Sequence, residues 1–317
     1  MIDPTLREAT LKLKSPDVSS RPLMAIVRVA TKLLKPVQTP GVTISTVRSG
    51  SLRLRIYTPD RVLSDGGLLW IHGGGMVMGV AKQDDPLCGS VASELGTIVV
   101  SAEYSLAPRQ TFPTALNELA ESWRWFQEHA SGLGVDPARI VVGGESAGGG
   151  LAASLVQRLH DEGGVQPIAQ WLFSPMLDDR TAADRDLDSV DHWIWNNAAN
   201  RVGWSSYLGH EPGQASEPPY AVPARRADLT GLPPTWISVS DIELFADENR
   251  AYADRLRASG VDVTVDLIRG APHGFENYAR ESAPARALLS RARAWLAARL
   301  AMAELRDDET DHADEPA

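Results

Sequence analysis

A serine surrounded by glycines is the feature of this sequence best able to do chemistry. Ser146 lies in VVGGESAGGG, residues 141–150, which contains the pattern G-x-S-x-G in full. The pattern follows two β-branched residues and precedes a helix-like run, the strand-to-helix setting in which such a serine is exposed on a sharp turn. A phosphate-binding loop is disfavoured, because no Lys followed by Ser or Thr comes after the glycines. The spacing therefore predicts a nucleophilic hydroxyl at Ser146.

A second glycine cluster, HGGGM at residues 72–76, directly follows the strand-like run LLWI. Acyl transfer places negative charge on a carbonyl oxygen, and backbone N–H groups aimed at that oxygen stabilise it. We expect such an oxyanion hole from the amides of Gly73, Gly74 and Ala147. The alternative for this cluster is an ordinary turn with a histidine of the core, His72.

A serine hydroxyl is a weak nucleophile until a positioned imidazole removes its proton. Of the seven histidines, only His273 lies in a late loop after a strand pattern, in GAPHGF. The others lie in the glycine cluster, at helix ends, in the region between strands or in the tail: His72, His129, His160, His192, His210 and His312. His273 is therefore the candidate base. No metal site is expected, because the sequence has no H-E-x-x-H pattern and no Cys/His cluster.

HGGG, GESAGG and the later APHGF resemble the hormone-sensitive lipase family of α/β-hydrolases, also called bacterial family IV esterases. The likeness covers about residues 40–300 and includes YSLAPRQTFP at 104–113. Two residues depart from the family pattern, since Ser105 and Arg109 stand where the family has Arg and Glu. Met76 stands where an aromatic residue is often found, and we assign it to substrate binding. The resemblance implies a preference for short to medium acyl esters.

The acid of the triad lies in TWISVSDIELFADENRAYA, where two alignments with the family motif compete. Asp241 fits if the first carboxylate is used, and Glu243 fits if the following Asp-Glu pair fixes the register. We favour Glu243, because this alignment needs no insertion and keeps the Leu-Phe pair after the acid. Glutamate is acceptable there, since the acid has only to accept the Nδ1–H of the histidine and stabilise the imidazolium. Asp247 is then expected to be a helix N-cap.

Strand-like and helix-like patterns alternate along most of the chain. A hairpin turns at Ser49 and Gly50, and six buried-strand runs follow: LLWIH, TIVVSAEY, RIVVGG, AQWLFSP, TWISVS and VDVTVDLI. Helix-like segments lie between most of them, at 87–95, 114–129, 148–160 and 247–259, with a last one near 283–305. This alternation predicts an α/β protein with a mostly parallel sheet and helices on both faces; with the family resemblance, it predicts the α/β-hydrolase fold.

We expect one domain over residues 1–317 with a helical cap. Residues 1–40 precede any strand, and residues 178–225 form a long stretch without a strand run, which favours a functional excursion. Its tryptophans either line an acyl pocket or serve packing, and among them we assign Trp204 to substrate binding: Trp193, Trp195 and Trp204. The acidic tail, residues 307–317, has no apolar period and is expected to be disordered.

Composition limits the classes of partner. The formal net charge is −10, and no Lys/Arg-rich run with interleaved aromatics occurs, which disfavours nucleic acid and anionic lipid as partners. The apolar stretch 23–34 is cut by Arg28 and Lys32 and is too short to span a bilayer, so it reads as an amphipathic helix. The start of the chain lacks the order of a signal peptide, and Cys88 is the single cysteine. We therefore expect a cytoplasmic protein.

These features predict a carboxylic-ester hydrolase that works through an acyl-enzyme, with Ser146, His273 and Glu243 as its triad. Its partner would be a small-molecule ester, it would need no cofactor, and a homodimer is left open. Two other readings stay open. One is an amidase, N-acyl hydrolase or acyltransferase with the same triad, and the other is a non-catalytic small-ligand receptor on the same fold.

Overall fold

The computed structural model describes residues 1–13, 18–50 and 52–311. Within them one eight-stranded sheet has the order β1-β2-β4-β3-β5-β6-β7-β8. The strands are β1 Val42–Ser49, β2 Leu52–Pro59, β3 Gly67–Ile71, β4 Ile98–Ala102, β5 Ile140–Glu145, β6 Gln170–Phe173, β7 Thr235–Ser240 and β8 Val263–Ile268. The pairs β1–β2 and β2–β4 are antiparallel, and all the others are parallel. The predicted hairpin and mostly parallel sheet are confirmed.

The helices occupy both faces of this sheet. They are α1 Pro4–Lys12, α2 Arg21–Lys32, α3 Asp85–Leu95, α4 Thr114–His129, α5 Ala147–Glu162, α6 Asp179–Ala183, α7 Asn197–Leu208, α8 Ala246–Ala258, α9 Phe275–Tyr278 and α10 Ala283–Asp311. Strand β3 shows how the core divides. Leu69 and Ile71 pack with α4, α5 and α8, whereas Leu68 and Trp70 pack with α3 and α10. Burial on both faces explains why the strands read as continuous apolar runs.

Two segments lie outside this regular alternation, and both are helical. Residues 1–40 contain α1 and α2, and residues 178–225 contain α6 and α7 without a strand. The second segment is attached to α8 through the buried carboxylate of Glu248, which accepts hydrogen bonds from the amides of Leu177 (2.7 Å) and Asp178 (3.3 Å). It also accepts one from the Thr181 hydroxyl.

The end of the chain and the start of α8 differ in detail from the sequence pattern. Helix α10 extends to Asp311 and so overlaps the segment expected to be disordered; residues 312–317 lie outside the described part. The prediction that Asp247 caps α8 is wrong. The amide of Ala246 already bonds to the Glu243 carbonyl (3.3 Å), so α8 begins at Ala246 and Asp247 lies inside its first turn.

No helix of the described chain is both long and apolar enough to cross a bilayer.

Candidate active site

Ser146 lies on a sharp turn between β5 and α5. Its backbone has φ 56° and ψ −122°, a conformation that L-residues rarely adopt. Two glycines make the turn sterically possible. A Cβ atom at Gly148 would overlap the carbonyl oxygens of Ile71 and His72, and one at Gly144 would overlap the carbonyl of Gly148. The glycines of G-x-S-x-G therefore allow α5 to start close against the end of β3.

His273 joins the serine to a carboxylate. Its Nε2 lies 2.8 Å from the Ser146 Oγ, and its Nδ1 lies 2.5 Å from Oε2 of Glu243. The three side chains come from the ends of three parts of the sheet: Ser146 after β5, Glu243 after β7, and His273 after β8. All three are buried, with 6%, 4% and 7% of their surface exposed, so the contacts form away from bulk water.

Asp241, the competing candidate for the acid, has a different partner. Its Oδ1 accepts a hydrogen bond from the amide of Gly270 (2.7 Å), and its own amide donates to the carbonyl of Ile268. Asp241 therefore joins the loop after β7 to the loop after β8. The carboxylate that contacts the imidazole belongs to Glu243.

The charge of Glu243 controls the protonation of the histidine. Burial lowers the pKa of His273, but the charge and hydrogen bond of Glu243, together with the nearby charge of Glu145, outweigh this effect. The net pKa is raised above the ordinary value for histidine. An imidazolium at this position is therefore stabilised, which is the state that a general base reaches after accepting a proton.

The glycine cluster at 72–76 lies beside the serine. A Cβ atom at Gly73 would lie 3.1 Å from the carbonyl oxygen of Glu145 and 3.4 Å from the Cβ of Ser146. Gly74 has φ 124°, which a side chain would strain. In the described chain no group accepts a hydrogen bond from the amides of Gly73, Gly74 or Ala147. All three donors are thus available to a ligand.

His72 supports this loop from behind. Its Nδ1 lies 2.8 Å from the carbonyl of Gly73, its ring stacks on Tyr104 at 4.3 Å, and the Tyr104 hydroxyl donates to its carbonyl (3.0 Å). Burial lowers the pKa of His72, which favours the neutral ring. These contacts are those of a core histidine that fixes the conformation of the loop.

The two residues assigned to substrate binding are both buried. Met76 is 2% exposed, and Trp204 is fully buried and packs edge-on against Tyr207. Trp195 lies closer to the glycine loop, since a Cβ atom at Gly75 would overlap its ring. Of the three tryptophans, Trp204 is the predicted pocket residue, whereas the ring of Trp195 is the one in contact with the loop.

One polar contact beside Ser146 and His273 was not predictable from the pattern. The buried carboxylate of Glu145, the residue before Ser146, accepts a hydrogen bond from Nδ2 of Asn277 (2.6 Å), in α9. A Cβ atom at Gly274 would lie 3.4 Å from the same carboxylate. Glu145 thus joins the serine turn to the segment that follows His273. No local sequence signal pairs residues so far apart.

The region of the structure described here contains no cluster of three or more His, Cys, Asp or Glu side chains suited to hold a metal ion.

One model of a known protein family matches this chain. The family model for the alpha/beta hydrolase fold matches residues 68–277, which include the glycine loop and all three side chains of the site.

Several relatives of this chain are named as ester hydrolases. The chain is 34% identical over 238 residues to the esterase LipI of Mycobacterium tuberculosis, covering 73% of each protein. It is 30% identical over 254 residues to an ethyl acetate hydrolase of Pseudomonas putida, covering 78% of each. Among solved structures, a bacterial heroin esterase superposes with a TM-score of 0.87 at 36% identity, covering 94% of this chain and 98% of that one.

Proposed function

The chain belongs to the α/β-hydrolase family, within its hormone-sensitive lipase group of carboxylesterases, and on that premise we propose that it hydrolyses short- to medium-chain esters through a Ser146–His273–Glu243 triad. The observation that carries the proposal is the 2.8 Å contact between the Ser146 Oγ and the His273 Nε2. This contact is a direct path for the proton that the nucleophile must lose.

The proposed reaction has two steps. His273 Nε2 takes the proton of Ser146 as Oγ attacks the ester carbonyl carbon, and the amides of Gly73, Gly74 and Ala147 bind the oxyanion. The tetrahedral intermediate collapses, and the alcohol leaves with the proton from His273. Water then loses a proton to the same imidazole, attacks the acyl carbon and releases the acid from Ser146.

Glu243 would act through the histidine. Accepting the Nδ1–H holds the ring with Nε2 toward the serine, and the carboxylate stabilises the imidazolium in both steps. The raised pKa of His273 agrees with this role.

We propose that residues 1–40 and 178–225 form the cap that limits substrate size. Two observations support this: Ser146 is only 6% exposed, and the ring of Trp195 covers the loop at Gly75. A relative named for ethyl acetate, a very small ester, is consistent with a short acyl pocket. Met76 and Trp204 remain the proposed pocket residues.

A series of p-nitrophenyl esters with increasing acyl length tests the proposed function, with matched p-nitroanilides as amide substrates. We expect kcat/KM to be highest for short and medium acyl chains, with a burst of p-nitrophenol when acylation outpaces deacylation. Amides hydrolysed faster than esters would favour the amidase reading. A folded protein that hydrolyses neither esters nor amides would favour a non-catalytic small-ligand receptor.

A further inference from the structure

Helix α2 turns an apolar face to the solvent. Three residues at helical spacing are exposed: Ile26 at 64%, Val29 at 58% and Leu33, the C-cap residue, at 75%. The opposite side holds the helix to the protein, where Met24 is buried and the Arg28 guanidinium donates to the carbonyls of Val77 (2.7 Å) and Ala107. A surface helix ordinarily directs its apolar face to the core. The α2 face of Ile26, Val29 and Leu33 is therefore an apolar surface without a partner in the described chain.

The surroundings of α2 are cationic although the chain as a whole is acidic. Residues 18–59 contain seven Lys and Arg and no Asp or Glu, in a chain of net charge −10. Two adjoining cavities of about 250 and 530 Å3 lie beside α2 and share Lys32, Arg53 and Glu103 as lining residues. We call them together the cationic cleft, since seven Lys and Arg and only two carboxylates line them.

Much of this positive charge is not compensated within the protein. Arg48 and Arg53 are direct neighbours in the antiparallel β1–β2 register, an arrangement of like charges that destabilises a sheet. Neither of them, nor Lys32, forms an ion pair with any residue in the described ranges. The carboxylate of Glu103 is engaged by the amide of Ala81 (2.8 Å). A ligand with negative charge would relieve the repulsion.

We propose that α2 and the cationic cleft bind this protein to an anionic lipid surface. Lipid phosphates would lie between Lys32, Arg48 and Arg53, and the apolar face of α2 would enter the boundary between headgroups and acyl chains. Exposed apolar residues beside unpaired cations are the combination by which amphipathic helices bind anionic membranes. The net charge of −10 disfavoured anionic lipid as a partner of the whole chain. This single number hides the fact that positive residues are concentrated near α2 and negative residues lie elsewhere in the sequence.

A second copy of the chain fits this surface less well. A twofold contact through α2 would use the same patch on both copies and bring the two cationic clefts toward each other. Like charges that approach in this way repel. An anionic lipid surface, by contrast, offers phosphates to the cations and acyl chains to the apolar face.

Docking through α2 would also orient the candidate active site. Val77, which binds Arg28 of α2, directly follows the glycine loop at 72–76. A bilayer against α2 would therefore lie near the glycine loop. Esters dissolved in that bilayer could then enter the candidate active site. This consequence rests on the proposed function, whereas the docking itself can be measured without turnover.

The test is cosedimentation with vesicles of phosphatidylcholine and of an equimolar phosphatidylcholine–phosphatidylglycerol mixture. We expect binding to the mixture only, weakened by salt because of screening. The variant K32Q/R48Q/R53Q should bind about a hundredfold more weakly, since each cation near an anionic surface contributes roughly fivefold. The control R250Q/R257Q/R286Q removes three arginines of exposed ion pairs elsewhere and should bind like the wild type.

The apolar contribution has its own pair of variants. I26Q/V29Q/L33Q should lose vesicle binding, whereas V62Q/V165Q/V190Q, which changes three exposed valines outside α2, should keep it. Circular dichroism and thermal unfolding establish that each variant is folded.

Three results would overturn the proposal. The first is equal binding of wild type and K32Q/R48Q/R53Q to the mixed vesicles. The second is binding of soluble glycerol phosphate without binding to vesicles, which would make the cleft a site for small anions. The third is a dimer in sedimentation velocity that I26Q/V29Q/L33Q converts to a monomer, again without vesicle binding, which would assign the α2 face to a second copy.

Discussion

At the residue scale, the backbone of Ser146 shows what the serine turn costs the fold. A φ of 56° with ψ of −122° is a strained conformation for a residue with a side chain, worth on the order of 1–3 kcal/mol. Glycine adopts such angles without a Cβ penalty. Strain of this kind persists where the surrounding structure fixes the backbone, here through the hydrogen bond from the Ser146 amide to the Phe173 carbonyl (2.8 Å).

Removing the side chain at this position should separate stability from activity. We expect Ser146→Gly to be more stable than Ser146→Ala by about 1 kcal/mol in the free energy of unfolding, because only glycine relieves the strain. Its unfolding temperature should be correspondingly higher. Both variants should lose ester hydrolysis by about four orders of magnitude or more. Thermal unfolding by calorimetry beside a p-nitrophenyl ester assay measures both quantities. Equal stability of the two variants would contradict the assignment of strain.

The two candidate acids are distinguished by a matched pair of isosteric variants. Glu243→Gln should reduce kcat by about a thousandfold or more, whereas Asp241→Asn, which alters a loop contact only, should reduce it less than about tenfold. Since His273 must be neutral to accept a proton, kcat/KM falls as the pH drops below its pKa. Glu243 raises that pKa, so Glu243→Gln should shift the acidic limb of the profile to lower pH.

The pH profiles of both variants, measured over the acidic range with one soluble ester, check this prediction. If Asp241→Asn is inactive and Glu243→Gln is fully active, the acid of the triad is Asp241. This result would refute the assignment of Glu243.

At the element scale, the contact between α5 and the end of β3 sets the distance from Ser146 to the glycine loop. Gly148→Ala would place a methyl group on the carbonyls of Ile71 and His72, so α5 would have to shift. We expect a loss of about 3 kcal/mol in the free energy of unfolding together with reduced kcat. Gly132→Ala is the matched control, because a Cβ there meets nothing within 4 Å. Urea unfolding of the two variants compares them, and equal stability would refute this packing argument.

The elements were predictable where one local pattern determined them. The period of α4 gave Thr114 to His129, the bounds that the structure has, and the buried runs gave the parallel strands. The start of α8 was not predictable from capping preference alone. The Asp-Glu pair reads as a helix start, but a turn bond from Ala246 to Glu243 begins the helix one residue earlier than that pattern indicates.

At the scale of the whole molecule, the site depends on pairings that no local pattern contains. Strand β4 inserts between β2 and β3, and the hydrogen bond between Ser146 and His273 spans 127 positions of the chain. The sequence indicated these residues through their motifs and their order along the chain. It could not indicate that Asn277 bonds to Glu145, because this contact arises only when distant parts of the chain are assembled.

The most direct test of the central claim, that Ser146 is the nucleophile of the folded molecule, is stoichiometric labelling with a p-nitrophenyl alkylphosphonate followed by mass spectrometry. The phosphonate forms a stable bond to an activated serine and releases p-nitrophenol. We predict one p-nitrophenol and one phosphonyl group per chain, located on Ser146 by peptide mapping, with neither formed by Ser146→Ala. A phosphonyl group on another residue, or ester hydrolysis that survives in Ser146→Ala, would contradict the account.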